Sequence, residues 1–83
     1  MMSYEKVLQA KNFVVGTKQT VKALKTGTVQ EVILAADADR HVLAKVENTA
    51  KELLVPIQYA DSMKKLGKAC GIQVGATAVA IIN

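Results

Sequence analysis

Val32-Ile33-Leu34-Ala35-Ala36-Asp37-Ala38-Asp39 decides the fold of this 83-residue chain. An unbroken apolar run stops abruptly at two aspartates. A strand with one wet face alternates apolar and polar side chains, so an unbroken run points to a strand covered on both faces, as in a sheet between helices. Val29 to Ala36 is therefore predicted as that strand. Asp37 and Asp39 end it, and Asp39 is placed to cap the helix that follows.

Working outward toward the C-terminus, Val42, Leu43, Val46, Ala50, Leu53 and Leu54 recur at helical spacing, with Glu47 and Lys51 predicted as an exposed pair one turn apart. Pro56 prevents the helix from continuing. Ile57 to Tyr59 reads as a short strand, and Ser62 as the cap of a helix from Met63 to Ala69. Leu66 faces inward there, and Lys64, Lys65 and Lys68 face mostly outward. Cys70-Gly71-Ile72-Gln73-Val74-Gly75-Ala76 is a glycine-containing loop before a strand from Thr77 to Ile82.

Toward the N-terminus, Gly27 is a helix stop for Thr17-Lys18-Gln19-Thr20-Val21-Lys22-Ala23-Leu24-Lys25-Thr26, which Gly16 opens. Phe13-Val14-Val15 is a strand leading into it. Ser3 caps an expected first helix through about Lys11, with Glu5 in its first turn. Helices alternating with strands at these spacings predict an α/β fold. We expect a three-layer α/β/α sandwich on a mixed four-stranded sheet, in a single domain over residues 1–83.

The Lys-rich helix is the unusual element. Lys18, Lys22 and Lys25 fall at i, i+4 and i+7, on the face opposite Val21 and Leu24, and no acid accompanies them. Like charges at this spacing oppose a helix by roughly 0.2 to 0.5 kcal/mol per pair, and Lys18 meets the positive end of the helix dipole. An anion at the free N–H groups of the first turn would reverse both effects. The alternative is a solvated lysine face with no partner.

Charge elsewhere follows the same division. The net charge is +4; residues 1–30 carry five Lys against Glu5 alone, residues 31–61 carry six acids, and residues 62–83 carry three Lys and no side-chain acid. If the fold joins the two ends, one basic surface results, suited to a phosphate-rich partner. Tyr4, Phe13 and Tyr59 are too few aromatics for a sheet that stacks bases.

Other chemistries find little support. One cysteine, Cys70, allows no intrachain disulfide and fits a reducing compartment. No His or Cys spacing forms a metal site, and no cofactor is expected. Lys68 could lower the pKa of Cys70, but without a resolving cysteine or a base an inert thiol is expected. Ser62-Met63-Lys64-Lys65 matches a serine-nucleophile motif only by chance, and His41 reads as a surface residue. Gly16-Thr17-Lys18 lacks the glycine spacing of a phosphate loop. Nothing resembles a signal peptide or a membrane span, so a cytoplasmic, non-enzymatic monomer is expected. Ile72 and Val74 are apolar in a connection that would ordinarily be polar. Either they tuck into the core or they form an apolar platform beside the Lys helix.

Four segments taken in order resemble one family over nearly the whole chain. They are Gly16 to Leu24, Ala36 to Asp39, Val55-Pro56-Ile57, and Lys65 to Ala76. Together they are similar to the kink-turn-binding ribosomal proteins, the archaeal L seven Ae and eukaryotic L thirty e type, and among them to the small bacterial members of the YbxF type. The resemblance implies a protein that recognises and stabilises kink-turn RNA, in which a bulge and tandem sheared G·A pairs bend the helix. It assigns Gly16, Thr17, Lys18, Gln19 and Lys22 to the G·A region and Ile72, Gln73, Val74 and Gly75 to the bulge. Lys25, Lys64 and Lys65 are secondary candidates for backbone contacts. Lys18 stands where the family has asparagine, and Gln19 where it has glutamate. Gln19 retains a carbonyl and a donor but lacks the charge that strengthens such bonds. The implied partner is structured RNA, such as a ribosomal RNA or an mRNA leader.

Overall fold

The computed structural model describes residues 12–82; the helix expected from Ser3 to Lys11 lies outside them. The described elements are β1 (Asn12–Val15), α1 (Thr17–Thr26), β2 (Val29–Ala35), α2 (Arg40–Glu52), β3 (Ile57–Ala60), α3 (Met63–Ala69) and β4 (Ala78–Ile82). They form a mixed four-stranded sheet in the order β1-β4-β2-β3. β2 and β3 are parallel, whereas β4 runs antiparallel to both of its neighbours, β1 and β2. The α/β class and the mixed sheet are those expected.

The apolar run of β2 explains the layers. Its alternate side chains point to opposite faces: Val32 and Leu34 pack with Leu24 of α1 and with Leu43, Val46 and Ala50 of α2, while Ile33 and Ala35 pack with Leu66 of α3. All four β2 residues are fully buried. Each of the three larger ones contributes roughly 1.5 to 3 kcal/mol by leaving water. β4 divides likewise, with Ala78 under the α1–α2 layer and Val79 and Ile81 under α3.

Helix ends follow local chemistry. Asp39 Oδ1 accepts from the backbone N–H of His41 at 2.8 Å and of Val42 at 3.4 Å. Ser62 Oγ accepts from Lys65 N–H at 3.1 Å. Gly27 stops α1 in the left-handed region, its N–H bonded to Leu24 O at 3.1 Å. At the end of α3, Gly71 (φ 79°) donates to Lys68 O and Ile72 donates to Gly67 O, both at 3.0 Å.

Two expectations for α2 are corrected. The inward stripe does not extend through Leu53 and Leu54: α2 ends at Glu52, and Leu53 and Leu54 are 47% and 90% exposed. Pro56 forces extended backbone on Val55, so the chain turns before it. The turn uses the same pair of bonds as α3, Leu54 N–H to Lys51 O at 3.2 Å and Val55 N–H to Ala50 O at 2.9 Å, but Leu54 (φ 58°) stands where α3 has glycine. Nor do Glu47 and Lys51 form an exposed pair. Glu47 is buried on the flank of α2 beside edge strand β3, where it accepts the Tyr59 hydroxyl and faces Arg40 Nη2 at 3.6 Å.

Candidate nucleic-acid interface

β1, β2 and β3 run in one direction and each leads into a helix, so α1, α2 and α3 all begin at the same end of the sheet. The loop entering the antiparallel strand β4 reaches that end too. Backbone bonds join these segments: Gly16 N–H to Ala78 O, Ala35 N–H to Thr77 O and Ala36 N–H to Ala60 O, each at 2.9 Å. In sheets of this kind the strand ends that feed helix N-termini are where ligands are met.

The three helix starts are chemically unequal. Asp39 closes that of α2. Ser62 closes that of α3, with Asp37 Oδ1 accepting from Met63 N–H at 2.8 Å as well. α1 has Gly16 as its cap, no side-chain cap bond and no acid in its first turn. The early N–H groups of α1 are therefore left for an incoming acceptor. Gly16 adopts φ 113° and ψ 151°, a region essentially reserved for glycine. A Cβ there would stand 2.6 Å from Gln19 Oε1, so the Gln19 carboxamide lies folded over the mouth of the helix.

Lys18, Lys22 and Lys25 are all exposed, on the face opposite the buried pair Thr20 and Leu24. Thr20, rather than Val21, centres the inward face, and Val21 is half-buried. At 1.5 Å per residue, Lys25 lies about 10 Å further from the helix mouth than Lys18. Among the described residues the ion pairs are Arg40–Glu47 and Lys65–Asp61, and neither involves the α1 lysines or Lys64. Lys64 and Lys65 share the first turn of α3, at the same end but on the other face of the sheet. Lys65 Nζ stands 3.5 Å from Asp61 Oδ2.

The loop before β4 divides the two apolar candidates. Ile72 is half-buried against the core on the α3 side, whereas Val74 is 72% exposed, and Gln73 and Gly75 are exposed with it. Of the two, Val74 is the side chain that stands mostly in water. The loop doubles back along α3: Val74 and Gly75 lie against Gly67, and Ala76 N–H donates to Met63 O at 3.0 Å. Three contributors to this end had not been singled out from the sequence: Asp37 as a cap on a helix distant in the chain, Thr20 as a core residue, and Gly67. A glycine inside a helix costs about 1 kcal/mol relative to alanine, and that cost was the available signal for Gly67.

The remaining groups offer little reactivity. Burial pushes the Cys70 thiol above its ordinary 9.0, against the lowering that nearby lysines would cause. His41 is exposed at the start of α2. Among the described residues no three His, Cys, Asp or Glu side chains are grouped to hold a metal ion, and no helix is long and apolar enough to cross a membrane.

Residues 2–83 match the profile of the ribosomal protein L7Ae/L30e/S12e/Gadd45 family. The chain belongs to this family. Its relatives include an RNA-binding protein of Geobacillus sp. (strain WCH70), 68% identical over 99% of this chain and all of that one. The RNA-binding protein YbxF of Geobacillus stearothermophilus is 63% identical over the same shares. An RNA-binding protein of Staphylococcus aureus (strain JH9) is 40% identical, again over 99% of this chain and all of the relative. The fold also superimposes on a solved structure of a protein with unknown function from Bacillus halodurans, with TM-score 0.85 and 25% identity over 96% of this chain and 80% of that one.

Proposed function

We propose that this chain is an RNA-binding protein that recognises and stabilises kink-turn RNA, with the start of α1 and the loop before β4 as its contact surface. One observation carries the reading: of three helix starts gathered at one end of the sheet, only that of α1 is uncapped, and it carries Lys18 and Lys22 unpaired among the described residues. The other two are closed by the protein's own side chains.

In this reading Gly16 and Thr17 bring backbone close to the RNA. Lys18, Gln19 and Lys22 meet the sheared G·A pairs and flanking phosphates. The carboxamide of Gln19, already at the helix mouth, supplies one acceptor and two donors for a guanine edge, and Lys18 reaches a phosphate or a guanine O6/N7. Val74 covers an extruded bulge nucleotide, with Gln73 and Gly75 beside it. Ile72 supports the loop from beneath. Lys64 and Lys65 touch backbone beyond the kink, Lys64 more strongly because Asp61 partly neutralises Lys65. Lys25, remote from the mouth, contributes least. Selection of a bent RNA by shape suits a surface without stacking aromatics, and preference for the kinked state stabilises it by population shift.

The test is a titration of labelled kink-turn RNA against the same RNA with Watson-Crick pairs in place of its G·A pairs, at two salt concentrations. Preference for the intact kink-turn at both salts is expected. Equal, strongly salt-dependent binding to both RNAs would reduce the surface to a generic polycation, and no binding to either would leave a docking face for an acidic protein.

A further inference from the structure

Gly67 lies within α3, buried beneath the loop that ends at β4. A Cβ on it would stand 2.2 Å from Val74 O, 3.2 Å from Val74 C and 3.1 Å from Gly75 Cα. Those neighbours are backbone and cannot swing aside. Four residues back along the helix the relation is reversed: a Cβ on Gly75 would stand 3.0 Å from Met63 Cβ and 3.3 Å from Met63 C and O. Helix and loop thus approach to backbone contact at two levels, and each supplies the glycine at one of them. Two hydrogen bonds bracket the contact, Ile72 N–H to Gly67 O and Ala76 N–H to Met63 O, both at 3.0 Å.

This packing sets how far the loop stands off the helix. Ile72 on one side is drawn against the core, while Val74, whose carbonyl rests on Gly67, keeps its side chain in water. A loop held at both ends and at its middle loses little conformational freedom when it meets a ligand. Met63 is itself fixed by Asp37, so the loop height is referred to the turn after β2 rather than to α3 alone.

We infer that Gly67 is a positioning residue for RNA recognition: it touches no RNA and acts by holding Val74 at the height of the bulge nucleotide. The inference rests on the proposed function and names the device behind one part of it. If it holds, enlarging Gly67 lifts the loop and weakens only the part of binding that depends on the bulge.

The experiment compares wild type, Gly67→Ala, Val74→Ser and the double variant on two RNAs, the kink-turn with its bulge and the same duplex with the bulge deleted, with circular dichroism and thermal melts to verify folding. Gly67→Ala is expected to lower the affinity ratio between the two RNAs about fivefold or more, close to the effect of Val74→Ser, with no further loss in the double variant. Its affinity for the bulge-deleted RNA stays near wild type. An unchanged ratio in a folded Gly67→Ala protein, or equal loss on both RNAs, overturns the inference. Should Gly67→Ala fail to fold, Asp37→Ala, which releases the Met63 backbone on which the loop height rests and lies outside the proposed contact surface, is judged by the same two outcomes. Failure of the wild type to prefer intact G·A pairs is a separate result and refutes the proposed function itself.

Discussion

Two residues show how backbone conformation and side-chain identity can agree or conflict. Gly16 agrees: its φ of 113° and ψ of 151° suit glycine alone, so Gly16→Ala should lower stability by about 1–3 kcal/mol in thermal melts and weaken RNA binding together with it. Leu54 conflicts. It holds φ 58° where α3 uses Gly71 for the same turn, and nothing in the structure explains the choice of leucine. Relief of left-handed strain is worth about 1–2 kcal/mol, and glycine's greater freedom when unfolded takes back about 0.5–1. At 90% exposure Leu54 has almost no burial to lose. Leu54→Gly should therefore raise stability by up to about 1.5 kcal/mol, a shift of several degrees in Tm for a domain of this size. RNA affinity should not change, because Leu54 follows the end of α2 opposite the helix starts. Neither position was fully legible in the sequence: Gly16 announced itself by type, but Leu54 continued the apolar period and gave no local sign of a turn beyond Pro56.

At the scale of elements, α1 is the clearest case of sequence reading and its limit. The lysine spacing placed Lys18, Lys22 and Lys25 on one exposed face, and the structure has them there. Thr20 was missed as a core residue because a threonine carries no apolar signal, although it is fully buried against the sheet. The loop before β4 was readable as unusual but not as divided, since only its contact with α3 separates Ile72 from Val74. The lysine stripe yields a graded expectation. Lys22→Ala should lose about 1–3 kcal/mol on intact kink-turn RNA and less on RNA without G·A pairs if Lys22 reads a guanine edge. A uniform loss with a salt slope reduced by about one would mark a phosphate contact instead. Lys25→Ala should change either titration least.

For the whole molecule, the two groups with displaced pKa values among the described residues lie in different parts of the fold and report on it jointly. The hydrogen bond to Glu47, then burial and the Glu47 charge, hold the Tyr59 phenol above its ordinary 10.0, and burial holds the Cys70 thiol above 9.0. As pH rises the unfolded chain releases these protons first, so the native state binds more protons in that window and stability falls. Their contribution is complete below pH 9, begins to be lost above the ordinary value of Cys70, and falls further above that of Tyr59. Melts from pH 7 to 11 should show this alkaline decline. Tyr59→Phe should flatten its upper part while lowering stability at pH 7, because Glu47 loses a partner. The layers and the mixed character of the sheet followed from the β2 run and the helix spacing. The order β1-β4-β2-β3 did not, because insertion of the strand latest in sequence between two earlier ones is decided by contacts that local patterns do not encode.

That insertion has a consequence for the newly made chain. As the polypeptide is synthesised, β1, α1 and β2 are available well before the strand that must lie between β1 and β2. Until then both inner strand edges are open, and Gly16 lacks the Ala78 carbonyl that fixes the mouth of α1. Pairings such as Val15 with Val79 close only when β4 arrives, and contacts so distant in sequence slow folding. The surface proposed to bend RNA is therefore incomplete until β4 has been made and inserted, so that a nascent chain lacking β4 does not yet present it.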